Sequence, residues 1–339
     1  AALAMFPTKI VLAKMLPGKS TNTFSLYIDL PNGSSYRENQ KVNQCVVGLL
    51  QQEKDVENIE IFSGMGSPLD YAGLVKGSGF KSGEHLSEVV VNLTDAHKRD
   101  ERSYRMVHRL RPVIQQSCEP LVKGTSIKMV EQPAGPPTLS ALVIELYGEN
   151  DAMLRSLAEE IKTILLQTKD LVDVDILNDD IYERFDLSVD KEKAMRSFVS
   201  FEALHSLVYL SFEGMAVAHK NSELSPSQIP IFLVLSDGSK MLKSLSLQEL
   251  EAKLVSVSIP NAHNILIPLN ELVRVQKIAS TPTVMSKNLQ KMVTIVAEAD
   301  LVSQVYPLLE ARTRLKEVLK ERFDVLLDIF HKEDSFLKE

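Results

Sequence analysis

The chain has 339 residues, 44% hydrophobic and 24% charged, a balance that excludes collagen, low-complexity sequence and wholesale disorder. At roughly 100 to 150 residues per domain, that length calls for two or three domains. A net charge of -7 excludes the basic field with which duplex-binding proteins displace counterions, so no nucleic-acid partner is expected.

No window approaches the ~18 to 20 consecutive apolar residues of a membrane span, and residues 1–7 lack the basic flank and apolar core of a signal peptide. In chain order, the pattern then switches repeatedly between strand-like and helical periods. Residues 24–30 read as a strand, Pro31-Asn32-Gly33 as a turn, and Ser34 or Ser35 as a helix cap, with Glu38 placed to close a capping box. Val42, Cys45, Val46 and Leu49 stripe that helix, and residues 58–63 return as a strand.

A second unit runs from a strand at 88–93 through a helix to a strand at 125–130, with Pro112 expected to kink the helix. The third takes residues 139–147 as strand, Asn150 or Asp151 as cap, Leu154, Leu157, Ile161, Ile164 and Leu165 as stripe, and 172–176 as strand. A fourth appears only later: a strand at 292–297, a helix over 304–321 and a strand at 323–330. Between the third and fourth, residues 179–288 are far too long for an ordinary connection and imply an inserted domain. Its expected elements are a helix at 201–212, a polar loop at 219–228, and strands at 229–236, 254–259, 265–268 and 272–278.

Units one and two pair as a split βαβ, or ferredoxin-like, arrangement, and units three and four pair as another. The expected fold class is therefore α+β: two ferredoxin-like subdomains, the second interrupted by an inserted α+β subdomain. The boundaries are 1–132 for the first, 133–181 with 279–339 for the second, and 182–278 for the insertion.

Most candidate chemistry fails on mechanism. Gly18-Lys19-Ser20-Thr21 imitates the end of a P-loop, but Ala13 stands where the first glycine is required and a strand follows where a helix should receive phosphate. Gly64-Met65-Gly66 follows a strand, yet Leu69 occupies the third glycine position and Pro68 interrupts. The seven histidines have no HExxH or HxH spacing, and no GxSxG elbow exists, so no metal ligands, catalytic residues, cofactor or enzymatic activity are expected. Cys45 reads as core filler; a Cys45–Cys118 disulfide is the less favoured alternative, open because both helices are expected on one sheet face. Asp170, Asp173, Asp175, Asp179 and Asp180 read as the wet edge of a half-buried strand. Residues 310–322 read as the outer face of an amphipathic helix, with Glu310 and Arg314 as an i,i+4 pair.

Residues 64–83 stand apart as a twenty-residue connection with six glycines, read as a structureless loop. It carries Met65, Leu69, Tyr71, Leu74 and Phe80, apolar bulk on a pliant backbone that suits contact with a hydrophobic ligand.

FSLYIDLPNGS at 24–34, VVVNLTDAHK at 89–98 followed by Arg109-Leu110-Arg111-Pro112, and EQPAGPPTLSALVIELYG at 131–148 resemble the second large periplasmic loop of resistance-nodulation-division (RND) efflux transporters. LVDVD at 171–175, DKEKA at 190–194 and IPLNELVRV at 267–275 extend that likeness over nearly the whole chain. The resemblance implies two porter subdomains, the second split by a docking subdomain, in a periplasmic loop of a Gram-negative inner-membrane protein held by flanking membrane helices. It also implies a homotrimer, a periplasmic adaptor and an outer-membrane channel as partners, and export of small hydrophobic or amphiphilic substrates, the multidrug type. Residues 64–83 coincide with that family's switch loop, which makes Met65, Leu69, Tyr71, Leu74 and Phe80 the expected substrate contacts.

Two other readings stay open. Metal-exporting members use a methionine triad, and the matching positions here, Ile28, Glu88 and the turn at 134–136, hold no methionine. A stand-alone ligand-sensing module with tandem ferredoxin-like domains is the other, distinguished by whether hydrophobic spans flank the chain in the coding sequence.

Overall fold

The computed structural model describes residues 20–68, 71–131, 135–212, 214–222, 225–233, 235, 246–300 and 305–319. The chain divides into two units, one made of residues 1–181 and 281–339, the other of residues 182–280.

The larger unit holds two antiparallel sheets. The first contains β1 (Thr23–Asp29), β2 (Val56–Met65), β3 (Ser82–Leu93) and β4 (Ser126–Glu131) in the order β2-β3-β1-β4. Alternation in β1 sends Phe24, Leu26 and Ile28 to one face, all fully buried, and Ser25, Tyr27 and Asp29 to the other. Helices α1 (Tyr36–Leu50) and α3 (Ser103–Cys118) cover the first face, adding Val42, Val46, Leu50, Met106, Val107, Leu110 and Ile114 to its core. Each such fully buried aliphatic side chain contributes about 1.5–3 kcal/mol. The expected capping box closes α1: Ser35 accepts from the Glu38 N–H while the Glu38 carboxylate accepts from the Ser35 N–H. Helix α3 runs unbroken through Pro112.

Cys45 and Cys118 are joined in a disulfide that ties α1 to α3, correcting the expectation of a free core thiol. Both cysteines lie on the core-facing sides of neighbouring helices, which is what the pairing requires.

The second sheet centres on β14 (Gln290–Ala299), which pairs with β5 (Leu142–Tyr147), with β6 (Leu171–Ile176) and with the short β13 (Met285–Lys287). Helix α4 (Asp151–Leu166), capped by Asn150, and α9 (Val305–Leu319) supply Leu154, Leu157, Ile161, Leu165, Ala311 and Leu315 to its core. Arg314 pairs with Glu310 at 2.8 Å as the spacing predicts. The strand expected at 323–330 lies outside the described residues.

The smaller unit contains an antiparallel pair of β7 (Glu183–Val189) and β12 (Val273–Ala279), a β8–β9 hairpin (Met215–Ser222, Ser225–Leu233), and short β10 (Ser258–Pro260) and β11 (Leu266–Pro268). Helices α5 (Lys191–Arg196), α6 (Phe201–Phe212), α7 (Leu247–Ser256) and α8 (Leu269–Leu272) surround a core of Val199, Leu204, Leu254, Ile259, Leu269 and Leu272. Two expectations fail here. Residues 219–228 are largely hairpin rather than polar loop, and Leu254 lies in the last turn of a helix that ends at Ser256 and that a second capping box, Ser246 with Glu249, starts.

A third correction concerns residues 64–83. They are not structureless: β2 reaches Met65, α2 (Tyr71–Lys76) and a 3-10 turn (Ser78–Phe80) follow, and β3 begins at Ser82.

Candidate functional site

The face of the first sheet that α1 and α3 leave uncovered carries the chemistry. Register places Phe62 of β2, Glu88 of β3, Tyr27 of β1 and Lys128 of β4 directly opposite one another in a single row across the four strands. Side chains paired this way share a face. Asp29 lies one step further along β1.

The segment following β2 crosses this face as a strap. Gly66 passes so close to Ser78 that a Cβ there would sit 2.1 Å from the Ser78 carbonyl oxygen, so only glycine fits. Gly77, at φ +76°, turns the chain out of α2.

Three polar clasps hold the strap. The Ser67 N–H and hydroxyl each donate to Glu88 at 2.9 Å. Lys81 donates to both oxygens of Asp29 at 2.9 Å, with its ammonium 5.9 Å from the centre of the Tyr27 ring. Lys76 reaches the second lobe, donating to Glu298 at 2.8 Å and to the Leu139 carbonyl at 3.1 Å. Burial raises the Asp29 pKa, but Lys128 at 2.8 Å and Lys81 outweigh it and hold the carboxyl down at about 2. Burial lowers the pKa of Lys128, and Asp29 with Asp175 more than reverse this.

The expected contact residues sit on or beside this strap with their side chains turned outward. Met65, Tyr71, Leu74 and Phe80 are 58, 64, 46 and 69% exposed. Leu69 lies outside the described residues. None of the four described contact residues, however, makes the polar bonds that anchor the strap. Lys76, Lys81, Ser67, Asp29 and Glu88 do, and the one sequence signal for them is that Lys76 and Lys81 are the only charged residues among those described on the strap.

Where the two lobes meet, β4 and β6 run edge to edge without backbone pairing. Side chains take the polar groups of the β4 edge instead. Glu119 accepts the Ile127 N–H and Gln115 donates to the Ile127 carbonyl. Asp173 accepts the Met129 N–H, and Arg111 donates to the Met129 carbonyl. Arg111 bridges onward to Asp173 at 3.3 Å and Asp300 at 3.2 Å, while His108 meets Asp300 and Lys128 meets Asp175.

This overturns the reading of a wet strand edge for two of the five aspartates: the Asp173 side chain is 2% exposed and Asp175 is half-buried under a lysine of the other lobe, while Asp170, Asp179 and Asp180 are exposed as expected. Burial raises the Asp173 pKa, with Arg111 opposing. Glu131, at the end of β4, is pushed up to about 7, mainly by burial and further by Asp300, with Arg111 pulling it down.

Nothing here forms a metal centre: among the described residues, no three His, Cys, Asp or Glu side chains converge as a metal site would require. Nor is any helix among them long and apolar enough to cross a membrane.

No curated protein matches the chain. In overall fold it is similar to the crystal structure of a heavy metal efflux pump in two crystal forms. Against crystal form II the TM-score is 0.63 at 17% identity, covering 94% of this chain and 31% of the pump's. Against crystal form I it is 0.62 at 15%, covering 91% and 30%. The chain thus spans under a third of the length of those pumps. A family model described as the AcrB/AcrD/AcrF family matches residues 2–320, and the chain accordingly belongs to that family of RND efflux transporters.

Proposed function

We propose that this chain is the periplasmic portion of a proton-driven RND transporter that binds hydrophobic or amphiphilic compounds between its two lobes and carries out no covalent chemistry. The observation that carries this reading is the strap: a short helix and turn that, with the end of β2, present Met65, Tyr71, Leu74 and Phe80 to solvent while polar clasps fix the strap to both lobes. Exposed aromatic and aliphatic groups on a glycine-hinged segment provide contact area for an apolar ligand and a means of moving with it.

Each lobe is read as a split βαβ porter subdomain, the first by its β2-β3-β1-β4 order with both helices on one face. Residues 182–280 are read as the docking subdomain, and a homotrimer, a periplasmic adaptor and an outer-membrane channel as the partners in the whole inner-membrane transporter. The Cys45–Cys118 disulfide agrees with an oxidising compartment such as the periplasm.

The test is export by the full transporter and ligand binding by this chain, each with Tyr71, Leu74 and Phe80 replaced by alanine. Loss of both supports the reading; unchanged export and binding defeats it.

Heavy-metal export is the second reading, favoured by the structural likeness to such a pump. Against it stands the donor set: Ile28 is buried in the core, Glu88 is a hard oxygen donor occupied by Ser67, and soft Cu(I) calls for thioethers or thiolates. Tight stoichiometric Cu(I) binding by the chain would establish this second reading.

A further inference from the structure

The chain has a net charge of -7, yet residues 97–109, HKRDERSYRMVHR, hold five Lys and Arg against two acids. Both acids are occupied: Asp100 by Lys54 at 3.3 Å, and Glu101 by Arg109 at 2.8 Å, which also holds Glu53. Asp95, in the turn before, accepts the His97 N–H and lies near Lys98, short of ion-pair contact. Lys98, Arg102 and Arg105 are left exposed, with no carboxylate at ion-pair distance among the described residues. Arg102 donates to the Tyr104 hydroxyl at 3.0 Å.

Their position is the wrong one for the fold alone. Arg102 is the N-cap of α3 and makes no side-chain cap bond, Arg105 lies in the first turn, and that turn holds no acid. A helix N-terminus presents unmet N–H groups and partial positive charge, which carboxylates stabilise and cations oppose. Arg99 is an independent sign of the same imbalance. It is 9% exposed, and its Nη2 donates to the Thr21 carbonyl at 2.6 Å and lies 3.4 Å from the Ser20 hydroxyl, which accepts the first N–H of α3, that of Ser103. Its Nε and Nη1 are buried without a hydrogen-bond partner among the described residues. A buried guanidinium, a helix N-terminus and three exposed cations thus share one end of α3, and anions from outside the chain are their complement.

The cations are spread over the turn at 95–98 and the first turn of α3, an arrangement that suits a surface of many anions better than one small ion. Tyr104, half-buried between Arg102 and Arg105, brings a ring with a polar tip, a side chain at home among lipid headgroups. We propose that Lys98, Arg102, Tyr104 and Arg105, with Arg99 behind them, form a docking face for an anionic phospholipid surface, whose phosphates stand in for the missing first-turn carboxylates. The proposal rests on the reading of the chain as part of an inner-membrane transporter and deepens it by naming the face that meets the membrane. That reading puts a membrane helix ahead of β1, and Ser20 to Asn22, which lead into β1, are bonded to this end of α3.

The experiment is flotation of the full chain with vesicles of phosphatidylcholine alone and of equal parts phosphatidylcholine and phosphatidylglycerol. A chain of net charge -7 is repelled as a whole by an anionic surface, so binding has to come from a local patch. Binding is expected to the mixed vesicles only, and to be lost at about 1 M salt, where the screening length falls to about 3 Å. Each Lys or Arg at such a surface is worth about fivefold in affinity, so Lys98→Gln, Arg102→Gln and Arg105→Gln together are expected to weaken binding roughly a hundredfold. The same loss of charge on α5, by Lys191→Gln, Lys193→Gln and Arg196→Gln, is expected to leave binding to the mixed vesicles no weaker than about twofold below wild type. Inorganic phosphate is expected to compete no better than chloride at equal ionic strength.

Equal weakening by the two triple variants, binding to phosphatidylcholine alone, or no binding to either vesicle overturns the proposal and leaves the export and ligand tests of the transporter reading where they stand. Phosphate competing better than chloride overturns it in favour of a single-ion pocket. The α3 variant is expected to melt no lower than wild type; a lower melting point would show that these cations serve the fold, and would overturn the proposal as well.

Discussion

The strap and the β4–β6 seam both connect the two lobes, and both do so through ion pairs, yet they are built for opposite purposes. At the seam, the side chains of Arg111 and Asp173 are 9 and 2% exposed, and each also serves the backbone of β4. On the strap, Lys76 and Glu298 are 12 and 30% exposed, less buried than the seam pair, and each also bonds the backbone of the second lobe, at the Leu139 carbonyl and the Ala141 N–H. Breaking a buried, multiply bonded pair strands a charge and a backbone group at once, whereas breaking a partly solvated one returns both ends to water. If the lobes move apart, the strap yields first and the seam acts as the pivot. Because side chains, and not a shared ladder, fill the β4 edge, the lobes can tilt there without tearing a continuous sheet.

The comparison breaks most visibly at the seam. Replacing Asp173 by alanine orphans the Met129 N–H and leaves Arg111 with Asp300 as its remaining carboxylate. The expected cost is about 3–5 kcal/mol in denaturant unfolding; a loss below about 1 kcal/mol would show the seam to be no stronger than a surface pair.

Next in size is the pH response of the same seam. The folded-state pKa of Glu131 is raised to about 7, so between the unfolded value and 7 the folded chain binds more protons and stability falls as pH rises. The drop is on the order of 3 kcal/mol between pH 4.5 and 7.5, and Glu131→Gln is expected to flatten it. Asp29 acts in the other direction: its stabilisation is complete above the ordinary carboxyl range and is lost as pH falls toward about 2. A melting curve with equal slopes for wild type and Glu131→Gln would remove Glu131 from the account.

Much of the first lobe is written in its periodicity. The alternation of Phe24, Leu26 and Ile28, the Ser35–Glu38 box and the Val42–Val46 stripe each settle a local conformation from neighbouring residues alone. What stays hidden is what depends on distant partners. Asp173 and Asp175 alternate as a wet strand should, and only the arrival of Arg111 and Lys128 makes that face dry. The disulfide is hidden for the same reason, since 73 residues separate its cysteines. At the candidate site, sequence picks out apolar bulk on the strap but not its anchors, because a lysine on a loop carries no mark of the carboxylate it will meet.

Gly66 offers a sharper test, because it alters the strap and spares the seam. A Cβ at that position collides with backbone, which cannot swing aside as a side chain would. Gly66→Ala is therefore expected to cost about 1–3 kcal/mol locally, read as faster exchange across residues 66–81, with the seam's protection unchanged. Uniform exposure of both regions would mean that strap and seam open as one unit.

The smallest effect carries the most information about mechanism. Glu298→Gln leaves the Ala141 N–H an acceptor but weakens the clasp from Lys76, which keeps its bond to the Leu139 carbonyl. A partly solvated pair of this kind contributes under about 1 kcal/mol, so global stability is expected to move by about that or less. Exchange at residues 71–76, though, should rise several-fold, because the strap's hold on the second lobe is concentrated in that one ammonium. If exchange there stays fixed while Lys76→Met raises it, the Leu139 carbonyl and not the carboxylate is the true catch, and the clasp answers to the position of the second lobe more than to charge.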